Sequence, residues 1–275
     1  MRHLAIVLVL LAGQQAAPPA SPRPRAEASK PAFEVASIKR NTSVDAGGGG
    51  GMLPGGRFRL TNVDAQVLIM IAYRTGPQLF RSQILGAPEW TAEERWDVTA
   101  KVADDLAGKP QAELIPLQPL LLQSLLADRF KLSVHHDSRT LPRYALVLAR
   151  KDGAPGPQMR RSNVDCAAER ARCVIHFDTG HFSSESATVS TLVNLLAANV
   201  QRFVVDRTGL DGRFAMNLEW TPDRTTLPPG ADPPPQADTP ALLTAIEEQL
   251  GLRLESERGP VDVVVIDHIE RPTED

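Results

Sequence analysis

Two stretches, GRFRLTNVDAQVLIMIAY (Gly56–Tyr73) and GHFSSESATVSTLVNLLA (Gly180–Ala197), decide the reading of the fold. Gly56 and Phe58 correspond to Gly180 and Phe182, and Leu68 and Ile71 to Leu192 and Leu195, without a gap. In each, a short run of alternating character meets polar residues and then an apolar run at helical spacing, which predicts a strand followed by a helix. Asn62 or Asp64, and Ser186 or Thr188, are the natural N-caps, because their side-chain oxygens can accept the unpaired N–H groups of a helix's first turn.

The correspondence extends outward. Upstream lie the apolar runs FEVASIK and CVIHF; downstream lie Leu79–Val102 and Arg202–Trp220, each read as a strand, a turn and a second strand. In these, Arg95-Trp96-Asp97-Val98 matches Arg213-Phe214-Ala215-Met216, and a hairpin or paired strands are expected. Pro-rich, weakly ordered connections are expected next, Ala103–Pro119 and Pro222–Pro240, the second an exposed loop. Each leads into a helix, through Leu122, Leu125 and Leu126 or through Leu242, Ile246 and Leu250. Phe130 and Leu132 match Leu250 and Leu252 at the change to strand, and each unit closes on a β run. The expected fold is α+β: two tandem, diverged β-β-α-β-β-α-β-β-like units over 33–150 and 173–275, with helices packed on mainly antiparallel or mixed sheets. Residues 151–172 are the expected connection, and the glycine-rich stretch Gly47–Gly51 is read as a flexible loop.

Residues 1–20 place Arg2 and His3 ahead of an apolar run from Leu4 to Ala12 and then small residues, the order of a signal peptide. That run is far short of the ~20 residues that cross a bilayer, so no stable membrane span is expected after cleavage. Residues 21–32 read as a flexible leader, and the protein is expected to be exported, periplasmic or extracellular. The two cysteines, Cys166 and Cys173, read in that setting as a disulfide; the alternative is two unlinked thiols on one helical face. With 30 Lys plus Arg against 33 Asp plus Glu and a formal charge of -3, the chain has no basic footprint for nucleic acid.

Four segments, FEVASIKRN (33–41), LLADRFKLSVHHDSRTLPRYALVLARK (125–151), VVDRTGLDGRF (204–214) and LLTAIEEQLGLRLESERGPVDVVVIDHIERPTED (242–275), resemble a soil-associated secreted protein family of unknown function, found as many paralogues in some soil bacteria. A related domain attached to membrane sensor peptidases makes the resemblance imply a receptor-like or ligand-sensing role. In element order the chain is also similar, more loosely, to the short N-terminal domains of secretins and TonB-dependent receptors, which serve as interaction modules. The resemblance supplies no catalytic residues.

Nor do the residues themselves. There is no GxSxG elbow, no SxxK and no cysteine outside the expected bridge. His135, His136 and Asp137 are the best-looking cluster, but neighbours in a strand point to opposite faces, so a solvated edge or hairpin end is expected. His176 and His181 could meet across a hairpin near Asp178 or Glu185, without a third metal ligand at fixed spacing. His268, beside Asp267 and Glu270, reads as exposed, and the glycine run lacks the GK[ST] ending of a phosphate loop. Trp90, Trp96 and Trp220 read as core residues rather than a ligand platform. The adjacent pairs Glu93-Glu94 and Glu247-Glu248 diverge on either secondary structure. The expectation is therefore no catalytic, cofactor or metal set. It is a binding or interaction module for a small molecule, peptide or envelope protein, with the groove between units as the default site. A hydrolase site assembled between the units and an envelope component docking by β-addition are the alternatives.

Overall fold

A computed structural model describes residues 30–43, 47–74, 78–222 and 239–273. The expected signal peptide, nearly all of the leader and most of the second Pro-rich connection lie outside the described residues. The fold is α+β, with three four-stranded sheets.

The first sheet is built from β1 (Phe33–Asn41), β2 (Gly49–Leu53), β3 (Arg57–Asp64) and, after β4 (Ile84–Leu85), β5 (Arg95–Val102), in the order β1-β5-β3-β2, antiparallel throughout. Strand β5 shows the alternation that makes a half-buried strand: Trp96, Val98, Ala100 and Val102 are buried, while Arg95, Thr99 and Lys101 face outward. Helix α1 (Ala65–Ala72) starts where the sequence places it, with Asp64 as N-cap accepting from the Val67 N–H at 3.0 Å. Asn62 instead sits at a break in the β3·β5 register with φ 52°, its N–H held by Asp97 Oδ1 at 2.8 Å. Helix α2 (Trp90–Glu93) is a single turn.

Three expectations change here. The glycine run is strand β2, not a loop. A Cβ on Gly50 (φ 134°) would lie 2.1 Å from the Arg59 carbonyl oxygen, so glycine is what lets this edge approach β3. Residues 103–119 are not weakly ordered. They form the short turns α3 (Asp104–Ala107) and α4 (Gln111–Leu114) and a 3₁₀ turn (Ile115–Leu117), pinned by fully buried Leu114 and by Gln111 donating to the Met52 carbonyl at 2.6 Å. Lastly, β4 does not form a hairpin with β5. It leaves the first sheet, because Ile84 is buried beside Val264, 180 positions further on.

Helix α5 (Gln118–Arg129) buries Leu121, Leu122, Leu125 and Leu126 on one face and leads into β6 (Ser133–Leu148). The third sheet follows: β7 (Met159–Arg161), β8 (His176–Asp178), β9 (His181–Thr188) and, after β10 (Val204–Asp206), β11 (Arg213–Glu219), in the order β7-β11-β9-β8. Strand β7 comes from the stretch read as a connection. Helix α6 (Val189–Val200) is capped by Thr188, whose Oγ1 accepts from the Thr191 N–H at 3.3 Å. The single turn α7 (Leu242–Ala245) and a π-helical turn (Ile246–Leu250) precede β12 (Leu252–His268).

Strands β6 and β12, each continuous where two strands are expected, pair antiparallel over nearly their whole length. Each runs from one hydrophobic core into the other. Val134 of β6 packs on the first core and Leu146 is buried in the second; Leu252 of β12 is buried in the second and Val264 in the first. The short strands complete this middle sheet in parallel, β4 pairing Ile84 with Val264 of β12 and β10 pairing Val204 with Tyr144 of β6. Like β4, β10 thus leaves the strand expected to pair with it. Val204 lies 120 positions after Ile84, Val264 lies 120 after Tyr144, and Thr140 pairs with Pro260, again 120 apart. Exchanging residue n with n+120 therefore maps the middle sheet onto itself, with the axis through the Thr140·Pro260 pair.

Candidate functional site

The His135-His136-Asp137 segment lies on β6 between the two cores. As strand geometry requires, its two imidazoles diverge. His135 Nδ1 meets Asp267 Oδ1 at 2.8 Å, whereas His136 stands over Tyr73 with 6.4 Å between ring centroids. Burial raises the Tyr73 hydroxyl above its ordinary value. His136, Asp137, Ser138 and Asp262 line a shallow depression of about 430 Å³ on the β6·β12 ladder. It is wide open to solvent, and its four lining residues include none that is buried.

The remaining sequence candidates are dispersed. His268 Nε2 meets Glu270 at 2.8 Å at the end of β12. On the β8·β9 hairpin, His176 faces Ser183 and His181 faces Asp178, so the two imidazoles are not opposite each other; His181 Nε2 contacts Asn217 Oδ1 at 3.1 Å. Among the described residues no three His, Cys, Asp or Glu side chains are placed to hold a metal ion. Glu94 separates from Glu93 and is held by Arg271 at 3.0 Å and Arg40 at 3.5 Å, while Glu247 and Glu248 are exposed. Trp96 and Trp220 are buried in the first and second cores, and Trp90 lies at the margin under the Arg271 guanidinium, 5.2 Å from its ring centroid.

Two buried charge groups escaped the sequence reading. Asp64, fully buried, holds Arg81 and Arg95 at 2.6 Å each besides capping α1. Arg143, buried on β6, is held by Glu257 of β12 at 2.7 Å, with Arg207 at 3.1 Å from the same carboxylate. Both carboxylates are spent on internal partners, so these are framework contacts. No spacing in the sequence links their members.

The surface that stands out is the free edge of the third sheet. In the first sheet Met52 of edge strand β2 pairs with Phe58; in the third, Phe177 of edge strand β8 pairs with Phe182. Directly opposed residues share a face, and Phe58 and Phe182 are both buried. Met52 is 5% exposed, roofed by the α4 segment, but Phe177 is 57% exposed. Val174 and Ile175, just before it, are about half exposed, and the chain is already extended at Val174. The edge is anchored by the Cys166–Cys173 disulfide, with Cα atoms 5.7 Å apart, and by Arg172, which bridges Glu169 at 2.8 Å and Glu185 of β9 at 2.7 Å. In the sequence Phe177 is one residue of the apolar run CVIHF, and nothing in that run marks it as exposed. Only the missing roof distinguishes it from Met52.

No curated protein and no solved structure matches this chain. A family model does, over residues 66–269, running from α1 through both cores to the end of β12. The chain belongs to the family described as protein of unknown function (DUF3738).

Proposed function

We propose that this protein is an exported interaction module, built of two diverged repeats over 33–150 and 173–275, which docks a partner by strand addition at the free edge of β8. The observation that carries this reading is Phe177, a large aromatic on the core-facing side of its sheet yet more than half exposed. Exposed apolar edge strands are normally covered or charged, because they template pairing with other chains. One left open is a binding surface, using main-chain hydrogen bonds for affinity and alternate side chains for specificity. Export is supported by the signal-like order of residues 1–20 and by the disulfide, which persists in oxidising compartments. The resemblance to a soil-associated secreted family, and to interaction domains of secretins and TonB-dependent receptors, agrees with a docking role.

The experiment places a photo-crosslinking amino acid at Phe177 in cells exporting the protein, with exposed Glu255 on β12 as control. A discrete adduct from position 177 and none from position 255 is expected. Equal labelling, or none from 177, removes the reading. N-terminal sequencing of the recovered protein tests export: a start at Ala17 or Ser21 is expected, and an intact Met1 refutes it.

A further inference from the structure

We propose that the partner at this edge is a second copy of the chain, joined antiparallel about a twofold axis at Phe177. This rests on the docking reading above and goes further by naming the occupant. The turn between β8 and β9 holds only Thr179 and Gly180, so Asp178·His181 is the closing, hydrogen-bonded pair of the hairpin. Antiparallel ladders alternate, so Phe177·Phe182 is a non-hydrogen-bonded pair, and the N–H and C=O of Phe177 point to the free edge. A second β8 laid there antiparallel meets that donor and acceptor with its own Phe177.

The flanking residues are self-complementary in the same register. His176 falls opposite Asp178 of the partner subunit, and Asp178 opposite His176 of the partner subunit. Each copy thus contributes one half of two imidazole–carboxylate pairs, both partners of which are exposed. An imidazole N–H opposite a carboxylate that can accept it favours such a register, and like charges opposite one another disfavour it. The two Phe177 rings meet near the axis, flanked by Ile175, which shares their face. The sheet grows from four strands to eight. The edge at β2 exposes Gly49, Gly50 and, at its last position, Leu53 at 37%, but it has no aromatic and no complementary polar pair to set a self-pairing register. The interface is isologous, so it closes at two copies.

Sedimentation velocity on the purified, oxidised full chain, at concentrations up to about 100 μM, is expected to show a reversible monomer–dimer equilibrium. Phe177→Lys should weaken it roughly thirty-fold, as for an aromatic at the centre of an interface. His176→Asp and Asp178→His should each weaken it roughly threefold to tenfold, and the two exchanges together should restore it, because each pair is re-formed with its members swapped. Phe177→Cys should give a covalent dimer on non-reducing gels, since directly opposed Cα atoms lie about 5.5 Å apart. A chain that stays monomeric, or a dimer indifferent to Phe177→Lys and to the exchanges, overturns the proposal. A monomer that still gives a discrete adduct to a different protein from position 177 eliminates the second copy and leaves the docking reading standing. A monomer with no adduct removes both.

Discussion

The guanidinium of Arg143, buried in the β6·β12 ladder, is held across it by the carboxylate of Glu257 at 2.7 Å, and its Nη1 also donates to the Pro260 carbonyl at 2.7 Å. Gly259 makes room for it: a Cβ there would lie 2.4 Å from the guanidinium carbon. This places a charge cluster beside the axis of the middle sheet. Removing Glu257 leaves a buried cation whose remaining acceptor among the described residues is the Pro260 carbonyl. Glu257→Ala is expected to cost about 2 to 3 kcal/mol, the lower end for a buried pair because Glu257 is partly exposed. The double replacement Arg143→Met with Glu257→Leu should recover most of that. Urea unfolding of the three variants checks it; a double variant as weak as the single one contradicts the account.

Met52 and Phe177 occupy the same place in their sheets but not the same environment. Met52→Lys buries an unpaired ammonium beneath α4 and is expected to cost about 3 kcal/mol or more. Phe177→Lys, at a site more than half exposed, should change stability at low concentration by no more than about 0.5 kcal/mol. Thermal melts of dilute samples provide the comparison, and equal losses would mean that Phe177 is covered.

Trp96 is buried edge-on against Phe130, with ring centroids 6.2 Å apart, and its Nε1–H has no partner among the described residues. An unsatisfied buried donor carries a desolvation cost, which offsets the area its ring buries. Trp96→Phe is therefore expected to destabilise by no more than about 1.5 kcal/mol, well below the roughly 3 to 5 kcal/mol usual for large aromatic deletions in cores. A loss in that upper range, measured by denaturant unfolding, would show that the indole N–H is satisfied.

Burial raises the Tyr73 hydroxyl, so the folded state binds its proton more tightly than the unfolded chain does. The sign follows: its contribution is fully present below the ordinary tyrosine value of about 10 and is lost as pH rises through the higher folded value. Stability should fall more steeply with pH above about 10 in the native protein than in Tyr73→Phe. Parallel alkaline profiles would show that Tyr73 is not the group responsible.

The disulfide closes a short loop, so removing it with Cys166→Ser and Cys173→Ser should cost about 2 to 3 kcal/mol. The loosening should be concentrated at β8 and the preceding turn, which hydrogen exchange resolves by segment. Uniform loss of protection across the first core would contradict a local clip.

Much of this architecture was written in short-range chemistry. Asp64 and Thr188 were legible as N-caps because capping is settled within one helical turn. The burial of Leu122, Leu125, Leu126, Ile246 and Leu250 followed from helical spacing, and the disulfide was foreseen from two cysteines in an exported-type chain. The candidate site was not legible. Nothing in the residues around Phe177 or Met52 says which is covered, and the roof over Met52 comes from a segment some 60 residues further along.

The sequence by itself determined the α+β class, the strand-then-helix order at Gly56–Tyr73 and Gly180–Ala197 and the start of each helix to within two residues, since these depend on periodicity and capping over a few residues. Only the tertiary structure decided that β4 and β10 leave their neighbours to join β12 and β6, that the glycine run is an edge strand, and that Phe177 stays uncovered. Those outcomes depend on which distant apolar surface buries Ile84 or Val204 and on how closely two backbones approach at Gly50. They are set by partners that no local window contains.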